Sequence, residues 1–311
     1  MNLHLLRVFA AVAEHHSFSR AATALHISQP AVSKAVRELE RQLDLTLIER
    51  TAVAPAAGRT VRLSESGQAL FDHARGIFAL ERAAADDIRA RVELKRGRLT
   101  LGASTTVAGY WLPAYLAEFA RRHPGIQLQM RVGNTQSVAQ SLIDCEIDLA
   151  LVEGPVSDAR ISPTLWREDE LDVIARPGTF QAQGGPPTRA ELGSQVWLLR
   201  EPGSGTREVT DRIMRDLGLA PERTVEIGSN EGIARAVAAG FGIALLPARV
   251  GHELVRAGAL QSVSMSHGKE TTLMRPLYLL HLKERPSSHV VRAFCAVLES
   301  PAEAAQRSSS M

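Results

Sequence analysis

Gln29, Ser33 and Arg37 recur at i, i+4 and i+8, with Lys34 beside them. A helix through this stretch therefore carries an amide, a hydroxyl and two cations on one face, with no large apolar side chain among them. Such groups hydrogen-bond base edges and phosphates in a major groove. An ordinary solvated helix face fits the same spacing equally well. A second set of residues sits at apparent strand-to-helix junctions. These are Gly102-Ala103-Ser104-Thr105-Thr106, Asn134-Thr135, the run from Arg200 to Arg207 that holds Ser204, Gly205 and Thr206, and Ser229-Asn230. Free backbone N–H groups, the positive end of a helix and nearby hydroxyls together favour an anion. Capping without any ligand accounts for each junction taken alone. Glu153 and Glu201 oppose an anion if they face the same space, and Arg207 is placed to neutralise Glu201 instead.

These groups need elements to hold them. Ser17 is an N-cap candidate, and Phe18, Ala21, Ala22 and Leu25 follow at helical spacing. His26-Ile27 makes a turn. Ser28 is a second cap candidate, and Pro30 falls in the first turn, where a missing N–H costs little. Val32, Val36, Leu39 and Leu43 form an apolar stripe on the face away from Gln29 and Ser33. Leu5, Phe9, Val12 and His16 mark the buried face of a preceding helix, completing a three-helix core. Leu45 and Leu47, then Val61 and Leu63, alternate with polar residues as two short strands, with Pro55 and Gly58 marking the turn between them.

Residues 64–94 read as one helix, roughly 45 Å long at 1.5 Å per residue. Leu70, Ala74, Ile77, Glu81, Ala84 and Ile88 follow a 4-3-4-3-4 spacing. That seam favours self-pairing of two copies over a helix lying on its own domain. From Arg98 the pattern changes to alternating strands and helices, which argues for a parallel α/β sheet. Strands are expected at 99–103, 126–132, 147–152, 171–175, 196–199, 225–227, 243–246 and 277–282, and helices at 111–122, 136–143, 205–217, 231–239 and 290–298.

Composition excludes more than it assigns. At 311 residues with 45% hydrophobic and 23% charged side chains, the chain is an ordinary globular mix in more than one domain. Formal net charge is only +2, yet residues 1–62 carry eight basic against five acidic side chains, a net +3. Cys145 and Cys295 lack CxxC spacing, which favours reduced buried thiols over a disulfide or redox switch. The N-terminus lacks a basic region and cleavage site of the secretory type, and no apolar run reaches the ~20 residues a bilayer needs. A cytoplasmic chain is expected. The ten histidines show no HExxH spacing, and Gly203–Gly205 is no nucleophile elbow, so neither an enzyme nor a cofactor is expected.

The literal stretch LLRVFAAVAEHHSFSRAATALHISQPAVSKAVRELERQL, with SFSRAA, ISQPAVS and the following LE, resembles the winged helix-turn-helix of LysR-type transcriptional regulators. The resemblance continues through nearly the whole chain. It implies an α plus α/β architecture in three parts. These are a winged helix-turn-helix at 1–63, a linker and dimerisation helix at 64–94, and a two-lobed, periplasmic-binding-protein-like effector domain at 97–301. Lobe I would take 97–168 and 277–301, and lobe II 169–276. The chain would cross near Glu168–Leu171 and Arg275–Leu277, and residues 302–311 would form a disordered tail. On the same basis Gln29, Pro30, Ser33 and Lys34 would meet bases, with Arg37 on phosphate or solvent. Arg50 and the weaker candidate Arg59 would contact DNA from a wing whose AVAPAAGRT tip is longer than the family pattern. Implied partners are promoter DNA with an interrupted palindrome, a second copy of the chain with a dimer of dimers as the assembly, and a small effector between the lobes. Ser104, Thr105, Thr106, Asn134, Thr135, Ser204, Gly205, Thr206 and Ser229 are its expected binders, and an anion or carboxylate its expected class. The GASTT, GNT, LVEGP and REPGSGTR stretches look most like a branch linked to sulfur assimilation, which points to sulfite, sulfate or a sulfur metabolite. A solute receptor of transport type shares the two-lobed domain, but the missing export signal and the N-terminal module oppose it.

Overall fold

The structure, a computed structural model, describes residues 2–49, 61–90, 97–180, 186–264 and 273–299. The expected turn at Pro55 and Gly58, both wing arginines Arg50 and Arg59, the end of the long helix at 91–94 and the tail all lie outside the described residues. The chain divides into two compact units, Met1–Ala85 and Asp86–Met311.

In the first unit, helices α1 (Leu3–His15), α2 (Phe18–Leu25) and α3 (Gln29–Leu43) follow one another with a cap at each junction. Ser17 Oγ accepts from Arg20 N and Ser28 Oγ accepts from Ala31 N, while His16, His26 and Asp44 end the three helices in the left-handed region. The core takes Leu6, Phe9 and Val12 from α1, Ala21 from α2, and Val32, Val36 and Leu39 from α3. His16 is not part of it. It is the C-cap of α1 and exposed, because the helix ends one residue before it. Strands β1 (Ile48–Glu49) and β2 (Arg62–Leu63) pair antiparallel. Glu40 of α3 anchors β1 by accepting from Leu47 N and Ile48 N at 2.9 and 3.2 Å.

Helix α4 spans Glu65–Ala90. Its first half belongs to its own unit's core, with Ala74 and Phe78 buried and Leu70, Phe71 and Ile77 packed against them. The proposed seam therefore splits. Leu70, Ala74 and Ile77 are absorbed by the small domain, whereas Leu80 and Ile88 stand 47% and 68% exposed.

The second unit holds β3 (Gly97–Ser104), a π-helical turn at Val107–Trp111, α5 (Leu112–Arg122), β4 (Ile126–Gly133), α6 (Thr135–Ile143), β5 (Leu149–Glu153) and β6 (Ile161–Ala175). It continues through α7 (Arg189–Ser194), β7 (Val196–Leu199), α8 (Gly205–Asp216), β8 (Arg223–Glu226), α9 (Asn230–Ala238) and β9 (Ala244–Pro247). It closes with α10 (Ala248–Arg256), β10 (Gln261–Val263), β11 (Leu273–Leu282) and α11 (His289–Glu299).

The sheet is mixed rather than parallel. Strands β4, β3 and β5 run parallel, and β7 runs parallel to β8, but β6 and β11 pair antiparallel with each other and with their neighbours. The reason is connectivity. One long strand carries the chain out of the first lobe and another brings it back, so the two form a two-way ribbon, paired from Ile161↔Leu282 to Leu171↔Leu273 with one register shift between Leu277 and Tyr278. Lobe I packs around Leu101, Leu112, Phe119, Leu149 and Phe294, and lobe II around Trp197, Val209, Ile233 and Leu245. No helix among the described residues is long and apolar enough to cross a membrane.

Candidate functional site

The polar face of α3 is open to solvent. Gln29, Pro30, Lys34 and Arg37 are exposed and Ser33 is half-buried, while Val32, Val36 and Leu39 face the core behind them. Pro30 in the first turn and the Ser28 cap fix where this face begins. Arg37 Nη2 donates to Ser33 Oγ at 2.9 Å, which aligns a hydroxyl and a guanidinium one turn apart. Arg41 on the same helix is engaged elsewhere. It grips Glu38 with Nε and Nη2, and that contact, with Gln42 assisting, holds the Glu38 carboxyl down at about 2. A flat face with an amide, a hydroxyl, an ammonium and a guanidinium can read base edges and meet phosphates.

In the second unit, the junction residues from both lobes do come together, but chiefly with one another. Thr105 Oγ1 of lobe I accepts from Arg200 Nη1 of lobe II at 3.2 Å. Thr106 Oγ1 accepts from Asn230 Nδ2 at 2.9 Å and donates to Glu153 Oε1 at 3.3 Å. Asn230 in turn accepts from Arg200 Nη1 at 3.0 Å. Thr206 Oγ1 accepts from Arg275 Nη1 at 2.8 Å, and Arg275 also lies 3.7 Å from Glu153 and 2.7 Å from Asp169. Thr135 Oγ1 donates to the Glu153 carbonyl at 2.7 Å. The α6 N-terminus is likewise spoken for, since Gln136 N donates to the Gly203 carbonyl of the other lobe at 3.1 Å.

Other residues from the sequence take humbler parts. Ser104 Oγ accepts from Val107 N, Asn134 Oδ1 accepts from Ser137 N, and Ser229 Oγ accepts from Gly232 N, each an ordinary cap. Ser229 adds a bond to Glu231, and it is its neighbour Asn230 that enters the inter-lobe network. Ser204 is buried at the start of α8 without a side-chain capping bond. Gly205 has a steric role that a ligand loop alone does not explain. A Cβ built there would lie 2.0 Å from the Glu153 carbonyl oxygen, so glycine is what allows α8 to abut the end of β5. Arg207 does not neutralise Glu201. It binds Asp211 through Nε, and Arg200 holds Glu201 instead.

Charged residues thus dominate a place expected to be lined by hydroxyls. Arg200, Arg275, Glu153 and Asp169 are all buried, with Glu201 half-buried beside them. Glu153 Oε2 is buried with no hydrogen-bond partner. Burial raises the Glu201 carboxyl, but the Arg200 guanidinium and Asn134 outweigh it, so its pKa lies below the usual range. Three carboxylates face two guanidiniums here, which leaves no surplus of positive charge for an added anion. The signal for this network was present in the sequence as cations at the ends of apolar strands, VWLLR and TLMRPLYLL.

Comparison with known proteins matches residues 3–68 to the model for bacterial regulatory helix-turn-helix proteins of the lysR family, and residues 93–302 to the LysR substrate binding domain. The regulator YeiE of Escherichia coli strain K12 is 34% identical over 94% of this chain and 96% of its own length. ArgP from Mycobacterium tuberculosis shares the fold at a TM-score of 0.71 and 21% identity, covering 96% of both chains. The regulatory domain of CcmR from Synechocystis, solved in complex with 2-PG, is 29% identical with a TM-score of 0.57, over 65% of this chain and 96% of that one.

Proposed function

This chain belongs to the LysR family of bacterial transcriptional regulators, and from that premise we propose that an anionic effector engages the lobes at Arg200 and so alters how the chain holds DNA. The helix-turn-helix and the effector-binding domain make it a DNA-binding regulator and not an enzyme. A transport receptor is set aside by the matched DNA-binding module.

In this reading α3 enters the major groove with Gln29, Pro30, Ser33 and Lys34 toward bases and Arg37 toward phosphate, and Arg50 and Arg59 add contacts from the wing. The exposed second half of α4, with Leu80 and Ile88, pairs with a second copy. Two recognition helices then meet successive half-sites of an interrupted palindrome, and two such dimers assemble into a tetramer. The place of work is the cytoplasm.

One observation carries the effector reading. Arg200 is 2% exposed, and its guanidinium is shared between Thr105 of one lobe and Asn230 and Glu201 of the other. A ligand that changes those bonds changes how the lobes meet, which is what differential affinity for two states requires. In this reading Ser104, Thr106, Asn134, Thr135, Ser204, Gly205, Thr206 and Ser229 complete the effector site. Support for it is that Thr106 bonds Asn230 and Asn134 bonds Glu201, the two residues that Arg200 holds in its own lobe.

The test is thermal unfolding of the full chain with sulfite, sulfate, phosphate, acetate and 2-PG, beside an Arg200→Lys variant. A ligand at a hundredfold over its Kd stabilises by about 2.7 kcal/mol. A melting shift for one anion that disappears in the variant supports the reading. No shift with any of these anions, or a shift that is equal in the variant, overturns it.

A further inference from the structure

Each of the three guanidinium nitrogens of Arg200 is engaged, and four of its five N–H groups have a partner. Nε donates to Glu201 Oε2 at 2.8 Å and Nη2 to Glu201 Oε1 at 2.9 Å, a two-point clasp between adjacent residues. Nη1 donates to Thr105 and Asn230. An anion that is to hold Arg200 by two parallel bonds must therefore evict a present partner. Asn230 is a poor candidate, being 1% exposed and tied through Nδ2 to Thr106. Thr105 offers a single hydroxyl to the guanidinium edge that Glu201 leaves free. Glu201 is different on each count. Its side chain keeps 25% of its exposure, and it precedes Pro202-Gly203, where Gly203 sits at φ +85. It also holds the bidentate face that best suits an oxyanion.

Glu201 further mimics a ligand in what it bridges. Its Oε1 accepts from Asn134 Nδ2 of lobe I at 3.3 Å while Arg200 of lobe II holds both oxygens. The carboxylate thus spans the two lobes by the same pair of donors that an effector would use. Charge points the same way. With Glu201 in place the network has three carboxylates to two guanidiniums, so a further anion is repelled. With Glu201 turned to solvent the balance is even.

We propose that Glu201 is a built-in surrogate for the anionic group of the effector, and that the effector is an oxyanion with at least two acceptor oxygens on one centre, which displaces Glu201 from Arg200 and takes over its contact with Asn134. This rests on the reading that an anion engages Arg200. It adds that the protein's own carboxylate competes for the site and sets the concentration at which the effector is felt. The apparent affinity of the ligand is its intrinsic affinity for the vacated guanidinium, lowered by the fraction of chains in which Glu201 has let go.

The experiment is calorimetric titration of the full chain with sulfite, sulfate, inorganic phosphate and acetate, and with chloride as a single-atom anion. It compares wild type, Glu201→Gln, Glu201→Ala and Arg200→Lys. Glu201→Gln keeps the shape and removes the charge, and the partly exposed position spares the core. Both Glu201 variants should bind the responding oxyanion at least tenfold more tightly than wild type and keep its rank among the oxyanions, with chloride inert. Arg200→Lys should lose binding. If an oxyanion binds wild type and depends on Arg200, yet neither Glu201 variant binds it more tightly, the surrogate role is wrong while the anion reading stands. If no oxyanion binds any form of the protein, including the Glu201 variants, both ideas fall.

Discussion

Arg275 sets Nε and Nη2 on a single oxygen of Asp169, at 2.9 and 2.7 Å, where the ribbon of β6 and β11 passes between the lobes. Both side chains are shut away from water, at 0% and 1% exposure. Their backbones are paired in register, so the ion pair is a rivet through the ribbon. Removing one partner strands a buried charge, which costs about 3–5 kcal/mol. Asp169→Asn should lower the unfolding free energy of the second unit, read from urea melts, by that order. The triple change Asp169→Leu, Arg275→Met and Glu153→Gln should recover most of it, since apolar replacements of a buried pair are often tolerated and the amide removes the second carboxylate that Arg275 faces. A triple variant as unstable as the single one would show that the strands, not the stranded charge, are at fault.

Gly205 and Gly76 should respond in opposite senses to the same substitution. A methyl at Gly205 would meet the Glu153 carbonyl oxygen at 2.0 Å and its Cγ at 2.6 Å, so Gly205→Ala must push α8 from β5 and open the lobes. It should lower the melting temperature and weaken the response to any ligand. Gly76 lies inside α4 with nothing within 4 Å of a built Cβ. Gly76→Ala should therefore stabilise the helix by roughly 0.5–1 kcal/mol. Thermal melts of the two variants decide it, and a neutral Gly205→Ala would mean the lobes do not meet there.

Much of this was legible in the sequence because it is local. Ser17, Ser28 and Pro30 mark helix starts through chemistry that acts within a few residues: the two serines are the N-caps of α2 and α3, and Pro30 lies in the first turn of α3. The stripe of Val32, Val36 and Leu39 is buried as its period requires. Non-local features were read less well. Strand β6 was seen only at its apolar end, because 162–170 are largely solvent-facing and show no clean alternation, and the antiparallel ribbon cannot be inferred from strand–helix order. In the cleft, hydroxyls announced themselves by their junction positions. Arg200, Arg275, Glu153 and Asp169 are far apart in sequence and become partners only through the crossing strands. The expected elements omit helix α10 and strand β10; β10 is only three residues long, whereas α10 carries a pronounced apolar face and was legible.

On α3, the Ser33–Arg37 bond makes a separable prediction for DNA. Ser33→Ala should weaken binding to the specific site and narrow its advantage over random duplex, as loss of a base-facing contact costs about 1–3 kcal/mol. Arg37→Ala and Arg50→Ala should weaken binding to all sequences alike and each reduce the slope of log affinity against log salt by about one. Fluorescence anisotropy over a salt series reads both. Equal loss of specificity from all three changes would move α3 out of the groove.

Cys145 and Cys295 are half-buried and form no disulfide, and Cys295 should differ from an ordinary surface cysteine in reactivity. Burial, with Glu299 adding to it, pushes the Cys295 thiol up to about 11. At pH 8 its thiolate fraction is then about a thousandth, and the thiolate is the reactive form. Alkylation of Cys295 in the folded chain should be slower than that of a free model thiol by two orders of magnitude or more. Mass spectrometry of timed iodoacetamide reactions checks this, and rapid labelling at Cys295 would mean that α11 opens readily from lobe I.

His281 gives the fold a defined sensitivity to acid. It lies on β11 opposite Ser162, and burial depresses its pKa below the ordinary 6.5. A depressed histidine is neutral in the folded chain at a pH where the unfolded chain already binds a proton. Stability is therefore full above about 6.5 and falls as pH drops from there through the folded value, because the unfolded state binds more protons across that window. Acid also titrates carboxylates, so the wild-type decline alone proves nothing about this residue. His281→Gln removes the titration while leaving the carboxylates in place. Between pH 7.5 and 5.5 the wild type should lose more of its urea midpoint than His281→Gln does, whatever the absolute stability of the variant at the higher pH. Parallel losses in the two proteins would place the acid sensitivity elsewhere.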